Sequence, residues 1–276
     1  MSPKPPLGAV VLAGGRSSRM GTPKAELDWF GSPLVYRTAS ILARIAAPLV
    51  VVRAPDQALP DLPEGTLVVA DEAEGLGPLQ GMAAGMRAVE AVGVDTEAVF
   101  VSSTDVPMLH PAFVRSVAAG LEDADVALPV VDGHNHPLSS VYRLSLLAKV
   151  EKLLAENRLR PAFVWEDGEV RRLGEGDLAH PESVTNVNTP EEFDAARARP
   201  LPLVVVEAFG TVRSRLGVAR TDVRAATLAG ALEAVGVHQG DDEVLVAING
   251  EQFRSDPRVA LVQGDVLALV PAEAGG

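Results

Sequence analysis

The sequence predicts an α/β domain with a mostly parallel sheet over residues 1–199 and a small α+β module over residues 200–276. Three observations carry this. Short β-branched runs alternate with segments of helical period through the first part, the pattern of strand–helix–strand units. A stretch with two prolines, Arg197-Ala198-Arg199-Pro200-Leu201-Pro202, interrupts the alternation. Beyond it the order changes to a strand, one helix, then strands.

The first strand is Gly8–Leu12. Further strands are expected at Leu49–Val52, Leu67–Ala70, Ala98–Ser102 and Val126–Val130, each short, β-branched and bounded by turn formers. Apolar residues recur at three- and four-residue spacing in Leu34–Ile45, Leu79–Val92, Pro111–Leu121 and Ser145–Glu156, which predicts helices. Pro111 and Pro190 stand where a first-turn proline is tolerated. Thr189-Pro190-Glu191-Glu192 reads as an N-cap followed by an acidic first turn. Ligands of such a sheet bind beyond the carboxyl ends of its strands.

The connector at 197–202 reads as a helix end followed by stiff chain, spanning at most ~20 Å when extended. Leu203–Ala208 is then a strand. Thr227 caps a helix over Leu228–Val235, which Gly236 ends. Val244–Ile248 and Val266–Val270 are strands, and Asn249-Gly250 is a hairpin signal. No internal repeat and no low-complexity segment is visible.

Composition narrows the function. An apolar content of 47% supports a sizeable core. A net charge of −13 argues against a nucleic-acid-binding surface. With no cysteine, disulfides, thiolate metal sites and cysteine nucleophiles are excluded. The start, Met-Ser-Pro-Lys-Pro-Pro, has no apolar core of a signal peptide, and no apolar run approaches the ~18 residues of a membrane span. A cytoplasmic enzyme is expected.

Against this acidic background the loop after the first strand stands out: Leu12 to Lys24 reads L-A-G-G-R-S-S-R-M-G-T-P-K. Glycines 14, 15 and 21 let backbone approach an anion, and Arg16, Arg19 and Lys24 bring positive charge. It is neither a P-loop, since Lys24 follows Pro23, nor a dinucleotide fingerprint, since Gly14 and Gly15 are adjacent. A plain strand-to-helix turn is the competing reading. Only four lysines occur in the chain, so one placed here carries weight.

Other strand ends carry candidate chemistry. Asp105 follows Val99–Thr104 and could hold Mg²⁺ or merely close a turn. Asp71 follows the third strand with the same two readings. The stretch from Gly75 to Met82 opens a helix with glycines, either for an anion or for close packing. Asn186 and Asn188 share one face of an extended segment and could meet a polar heterocycle or serve as caps. Asp132-Gly133-His134-Asn135-His136 has the look of a metal motif, but no third ligand is spaced to complete it, so a substrate-facing loop is expected. The chain closes on Gly275-Gly276, a carboxylate without side chains that can thread a narrow channel or simply fray.

Taken together, residues 7–199 resemble the molybdenum cofactor guanylyltransferases. The matching pieces are L-A-G-G-x-x-x-R-M-G-x-x-K, the strand end at Asp71, G-P-L-Q-G-M, T-D-V-P, N-H-P and N-V-N-T-P-E-E, in family order and spacing. The resemblance implies a Rossmann-like nucleotidyltransferase fold that moves GMP from GTP to molybdopterin with Mg²⁺. It implies that Leu12, Ala13, Gly14, Gly15, Lys24 and Asp71 contact GTP, and that Asp105 binds Mg²⁺. Arg19, Gly81, Asn186 and Asn188 would lie near the pterin or phosphates, with Lys24, Arg19 and Asp105 catalytic. Arg53 departs from the asparagine that some relatives carry near the nucleotide. The cytidylyltransferase relatives, the alternative, tend to have L-A-A-G in the first loop and lack G-P-L-x-G-M.

Residues 203–276 resemble the small, sulfur-carrying subunit of molybdopterin synthase, a ubiquitin-like β-grasp module. V-E-A-F-G-T-V-R-S-R-L-G, V-A-I-N-G and G-D-V-L-A-L-V-P match, with Gly275-Gly276 as the carrier terminus. Glu273 departs from the small or apolar residues commoner there. This implies an adenylating enzyme and the large subunit of molybdopterin synthase as partners. In a reading of another class, the chain is chiefly a carrier whose N-terminal domain is a scaffold.

Overall fold

The computed structural model describes residues 7–14, 20–71, 77–93, 95–166, 168–238, 244–251 and 253–272. The chain divides into two compact units. One comprises residues 1–27 and 34–192, the other residues 28–33 and 193–276.

The first unit begins with β1 (Leu7–Leu12), buried along its whole length. After the short hairpin β2 (Asp28–Trp29) and β3 (Ser32–Pro33), which groups with the second unit, come α1 (Leu34–Leu42), β4 (Leu49–Arg53) and β5 (Leu67–Ala70). Then follow α2 (Pro78–Ala91), β6 (Ala98–Ser103), α3 (Pro111–Ala119), β7 (Val126–Val131), β8 (His134–Asn135), β9 (Ser139–Arg143), α4 (Leu147–Ala155) and β10 (Val170–Leu173). The sheet runs β10-β7-β9-β6-β1-β4-β5, with β8 paired to β7. All neighbours on that path are parallel except β9, which is antiparallel to both β6 and β7.

Alternation along the central strands splits the core into two layers. Val10, Leu12, Val50, Val52, Val99 and Val101 pack with Leu79, Met82 and Met86 of α2 and Val150 and Leu153 of α4. Phe100 projects to the opposite face, where its ring meets Phe113 of α3 edge-on at 6.4 Å. Helices on both faces explain why β1, β4 and β6 read as unbroken apolar runs rather than as alternation. The four expected helices of this unit end one to three residues early. The 34–45 segment is α-helical to Leu42, and its last turn tightens through Arg44 N–H to Ile41 and Ile45 N–H to Leu42.

The expected cap at Thr189 forms: its hydroxyl accepts the Glu192 N–H at 3.2 Å at the start of α5 (Pro190–Arg197). In the same turn Glu192 accepts the Asn188 N–H at 2.7 Å, which fixes the end of the asparagine segment. The Asp132-Gly133 pair, both at positive φ, is the tight turn that joins β7 to β8.

The second unit contains β11 (Leu203–Ala208), α6 (Gly210–Leu216), β12 (Arg220–Arg224), α7 (Leu228–Ala234), β13 (Val244–Ile248), β14 (Phe253–Arg254) and β15 (Val266–Pro271). Its sheet order is β12-β11-β15-β13-β14. The first and last strands lie parallel at the centre, with antiparallel pairs outside them. Thr227 caps α7 as expected, accepting the Gly230 N–H at 3.3 Å. Leu228 and Ala231 of α7 and Val212 of α6 cover one sheet face over Val204, Val206, Val246, Leu267 and Leu269. Among the described residues no helix is long and apolar enough to cross a membrane.

Candidate active site

The carboxyl ends of β1, β4, β5 and β6 come level at one edge of the parallel sheet. Leu12 stands opposite Val52 and Ser103, and Val52 opposite Val69. The apolar runs that make these strands stop there, at Arg53, Asp71 and Ser103 on three of them and at Ala13-Gly14 on β1.

At the end of β6 the chain turns through Thr104 to Asp105, whose residue is only 8% exposed. A carboxylate so far from water needs partners, and it has three from the side chains around it. Ser103 Oγ donates to Oδ1 at 2.5 Å, Asn186 Nδ2 donates to Oδ1 at 2.8 Å, and Lys24 Nζ donates to Oδ2 at 2.6 Å. The same ammonium donates to Asn188 Oδ1 at 2.7 Å. The asparagine segment is held in register by the Val187 N–H on the Asp105 carbonyl at 2.9 Å. Because Val187 is buried and points away, Asn186 and Asn188 both turn towards the carboxylate and the lysine. Four of the sequence-predicted residues thus meet in one cluster, from segments up to 164 positions apart.

A second group sits at the ends of β1, β4 and β5. Ala13 and Gly14 N–H both reach the Val52 carbonyl, at 2.8 and 3.2 Å. Gly14 lies so close to the next strand that a Cβ would stand 3.1 Å from the Ala54 nitrogen. Gly81, in the first turn of α2, allows the helix to rest on Leu12. A Cβ there would lie 3.0 Å from Leu12 Cδ2 and 3.9 Å from Asp71 Oδ2. Leu12, Gly81 and Asp71 are therefore neighbours. Gly15, Arg16, Arg19, Gly275 and Gly276 lie outside the described residues.

Three contributions were not assigned from sequence. Gln57 joins two strand ends, its carbonyl oxygen accepting the Ala54 N–H at 2.9 Å while its amide donates to the Ala13 carbonyl at 3.2 Å. Arg53 is used locally, donating to the Ala54 and Gln57 carbonyls at 3.3 and 3.0 Å. Buried Arg37 of α1 donates to the Pro107 carbonyl at 2.8 Å and so pins the chain just past Asp105. An arginine in a helix whose other residues carry no charge is the sequence signal for it.

Chemically, the cluster offers hard oxygen donors around a cation. The Lys24 ammonium lies between Asp105 Oδ2 and Asn188 Oδ1, a stand-in for any cation brought there. That donor set suits Mg²⁺, which takes one or two carboxylates and completes its shell with water and phosphate oxygens.

Residues 9–170 match the MobA-like NTP transferase domain. A protein of Mycobacterium tuberculosis H37Rv named as a probable molybdenum cofactor guanylyltransferase is 38% identical over 188 residues, 67% of this chain and 90% of its own length. Crystal structures of molybdopterin-guanine dinucleotide biosynthesis protein A from Archaeoglobus fulgidus and of 2-C-methyl-D-erythritol 4-phosphate cytidylyltransferase from Thermus thermophilus share the fold. Their TM-scores are 0.54 and 0.53 at 20% and 18% identity, each over 69% of this chain and 96% and 97% of theirs. Fold and kinship together make this protein a nucleotidyltransferase. It belongs to the MobA-like NTP transferase family.

Proposed function

We propose that residues 1–199 form a domain that transfers GMP from GTP to molybdopterin. A terminal phosphate oxygen of molybdopterin attacks the α-phosphorus. A new P–O bond forms, the bond to the β-phosphate bridging oxygen breaks, and pyrophosphate leaves with the electron pair. The acceptor is already anionic, so no general base is required. The difficulty is to bring two anions into line and neutralise them.

The observation that carries this reading is the convergence of Lys24, Asn186 and Ser103 on the Asp105 carboxylate at the end of a parallel strand. Asp105, with Asn188 beside it, would hold Mg²⁺, which when bound supplies charge neutralisation at the triphosphate oxygens. Lys24 has a flexible stem, and turning from Asp105 to the substrate brings its ammonium to the phosphates. Leu12, Ala13, Gly14, Gly15 and Asp71 would line the nucleotide. Arg19, Gly81, Asn186 and Asn188 serve the pterin or phosphate end.

We further propose that residues 200–276 act as a β-grasp sulfur carrier. In its support, the five strands lie in the order second-first-fifth-third-fourth with the helix α7 across one face. The Gly275-Gly276 carboxylate would be adenylated by ATP with release of pyrophosphate, a sulfide-level sulfur from a partner donor would displace AMP to give a thiocarboxylate, and this would be presented to the large subunit of molybdopterin synthase.

Purified protein incubated with molybdopterin, Mg²⁺ and either GTP or CTP tests the base. Pyrophosphate release with GTP alone is expected. Release with CTP alone assigns cytidylyl transfer instead, and release with neither nucleotide returns the N-terminal domain to a scaffold.

A further inference from the structure

We infer that Ser103 is a positioning residue for the Asp105 carboxylate: its hydroxyl, with the Asn186 amide, holds Oδ1 so that Oδ2 alone faces an incoming cation. The inference rests on the reading of Asp105 as the metal-holding carboxylate.

β6 ends at Ser103 and the chain bends at Thr104, which leaves the Ser103 hydroxyl beside the Asp105 carboxylate. The outer torsion of an aspartate is soft and nearly two-fold, so its position on the strand does not fix which oxygen points where. Donors must do that. Ser103 Oγ lies 2.5 Å from Oδ1, in the range of a charge-assisted O–H···O⁻ bond, and Asn186 Nδ2 lies 2.8 Å from the same atom. A carboxylate offers about four acceptor positions, two on each oxygen. The two on Oδ1 are taken by Ser103 and Asn186, and Lys24 takes one on Oδ2. The position left is on Oδ2, the oxygen that shares the Lys24 ammonium with Asn188 Oδ1.

The two donors to Oδ1 are not equivalent. Asn186 arrives on a distant segment whose place is set by Val187 N–H on the Asp105 carbonyl. Ser103 belongs to the strand itself and is there whether or not that segment is. Its neighbour Ser102 does something else: fully buried, it donates to the Ser103 carbonyl at 3.0 Å and does not touch the carboxylate. Ser102 is therefore the internal control for the loss of a strand-end hydroxyl. Without Ser103, Oδ1 loses its shortest donor and is held by the Asn186 amide alone.

The test is Mn²⁺ binding by the full-length chain in the presence of GTP and without pterin, read from the electron paramagnetic resonance signal of free Mn²⁺. S103A is expected to weaken Mn²⁺ about tenfold or more, the worth of one hydrogen bond to a charged acceptor. S103T, which keeps the hydroxyl on a residue suited to a strand, is expected to restore affinity to within a few-fold, and S102A to leave it unchanged. Thermal melts of the same variants separate folding from binding. Wild-type affinity in S103A, or a loss that S103T does not restore, overturns the role of Ser103. Asp105→Asn measured alongside keeps the two readings apart. If it abolishes Mn²⁺ binding while S103A does not change it, only the inference on Ser103 falls. If Asp105→Asn itself binds Mn²⁺ normally, the reading of the carboxylate falls and takes the inference with it.

Discussion

Asp105→Asn is the sharpest perturbation of the proposed chemistry, because it keeps the side chain's shape and removes its charge. Asp105 accepts from Ser103, Asn186 and Lys24. An asparagine has one acceptor oxygen and one NH₂ group. With its NH₂ at the Oδ2 position it faces the Lys24 ammonium, donor to donor. With its NH₂ at the Oδ1 position it faces the Asn186 amide instead. Either way one donor loses its acceptor, at about 1–3 kcal/mol. Lys24 keeps Asn188 and its side chain is 20% exposed, so water relieves part of that loss and the lower end applies. Against a typical stability of about 5–15 kcal/mol, the variant stays folded. Transfer, in contrast, loses the carboxylate proposed to hold the Mg²⁺ that neutralises the triphosphate, and should fall by roughly 10²-fold or more. Pyrophosphate release from GTP and molybdopterin measures the second effect, and a thermal melt the first. A variant that melts near wild type and still turns over near wild type would refute the assignment.

Three other perturbations probe separate parts of the reasoning. In Gly85→Ala the new Cβ would stand 2.2 Å from Val10 Cγ1 on the buried β1, against about 3.5–4.0 Å for carbons in contact. The variant should lower the denaturant midpoint by an amount worth about 1–3 kcal/mol, although alanine is the better helix former. A more stable protein would contradict the packing described, and Val10→Ala in the same chain should recover part of the loss. Burial is the main cause that lowers the His136 pKa below 6.5, opposed by its hydrogen bond with the Val131 carbonyl. The unfolded chain then binds a proton between the folded value and 6.5 that the folded chain does not, so stability is present above pH 6.5 and lost as pH falls through the folded value. His136→Gln should flatten the stability–pH curve in that window, and an unchanged slope in denaturant titrations would speak against it. Finally, one residue appended after Gly276 should abolish the proposed sulfur transfer and leave pyrophosphate release from GTP unchanged; loss of both would show that the two halves do not work separately.

The parts of this fold legible in the sequence are those whose residues carry one message. β5, β11 and β13 lie at the bounds read from branched apolar runs, and β1 and β4 nearly so. The elements that escaped carry mixed messages. β9 opens with Ser139 and Ser140, both buried, so a central strand begins with polar residues. Ser140 is tolerated because its hydroxyl donates to the His136 carbonyl. β12 reads Arg-Thr-Asp-Val-Arg because it is an edge strand, where charge on the outer side is an asset. α6 starts at a glycine with positive φ and has only Val212 buried, too little for a helical period to show.

The candidate site divides along the same line. Lys24, Asp105, Asn186 and Asn188 were legible as separate candidates because each follows a strand or precedes a helix, where a charge or amide has no packing role. That they touch was not legible, since 81 residues separate Lys24 from Asp105 and another 81 separate Asp105 from Asn186. Contact across such distances is decided by strand order: β1 and β6 are neighbours only because the chain crosses over α1, β4, β5 and α2 before returning. Ser103 was hidden for a different reason. A serine at a strand end is ordinary turn chemistry, and one oxygen of one carboxylate distinguishes it from Ser102 beside it.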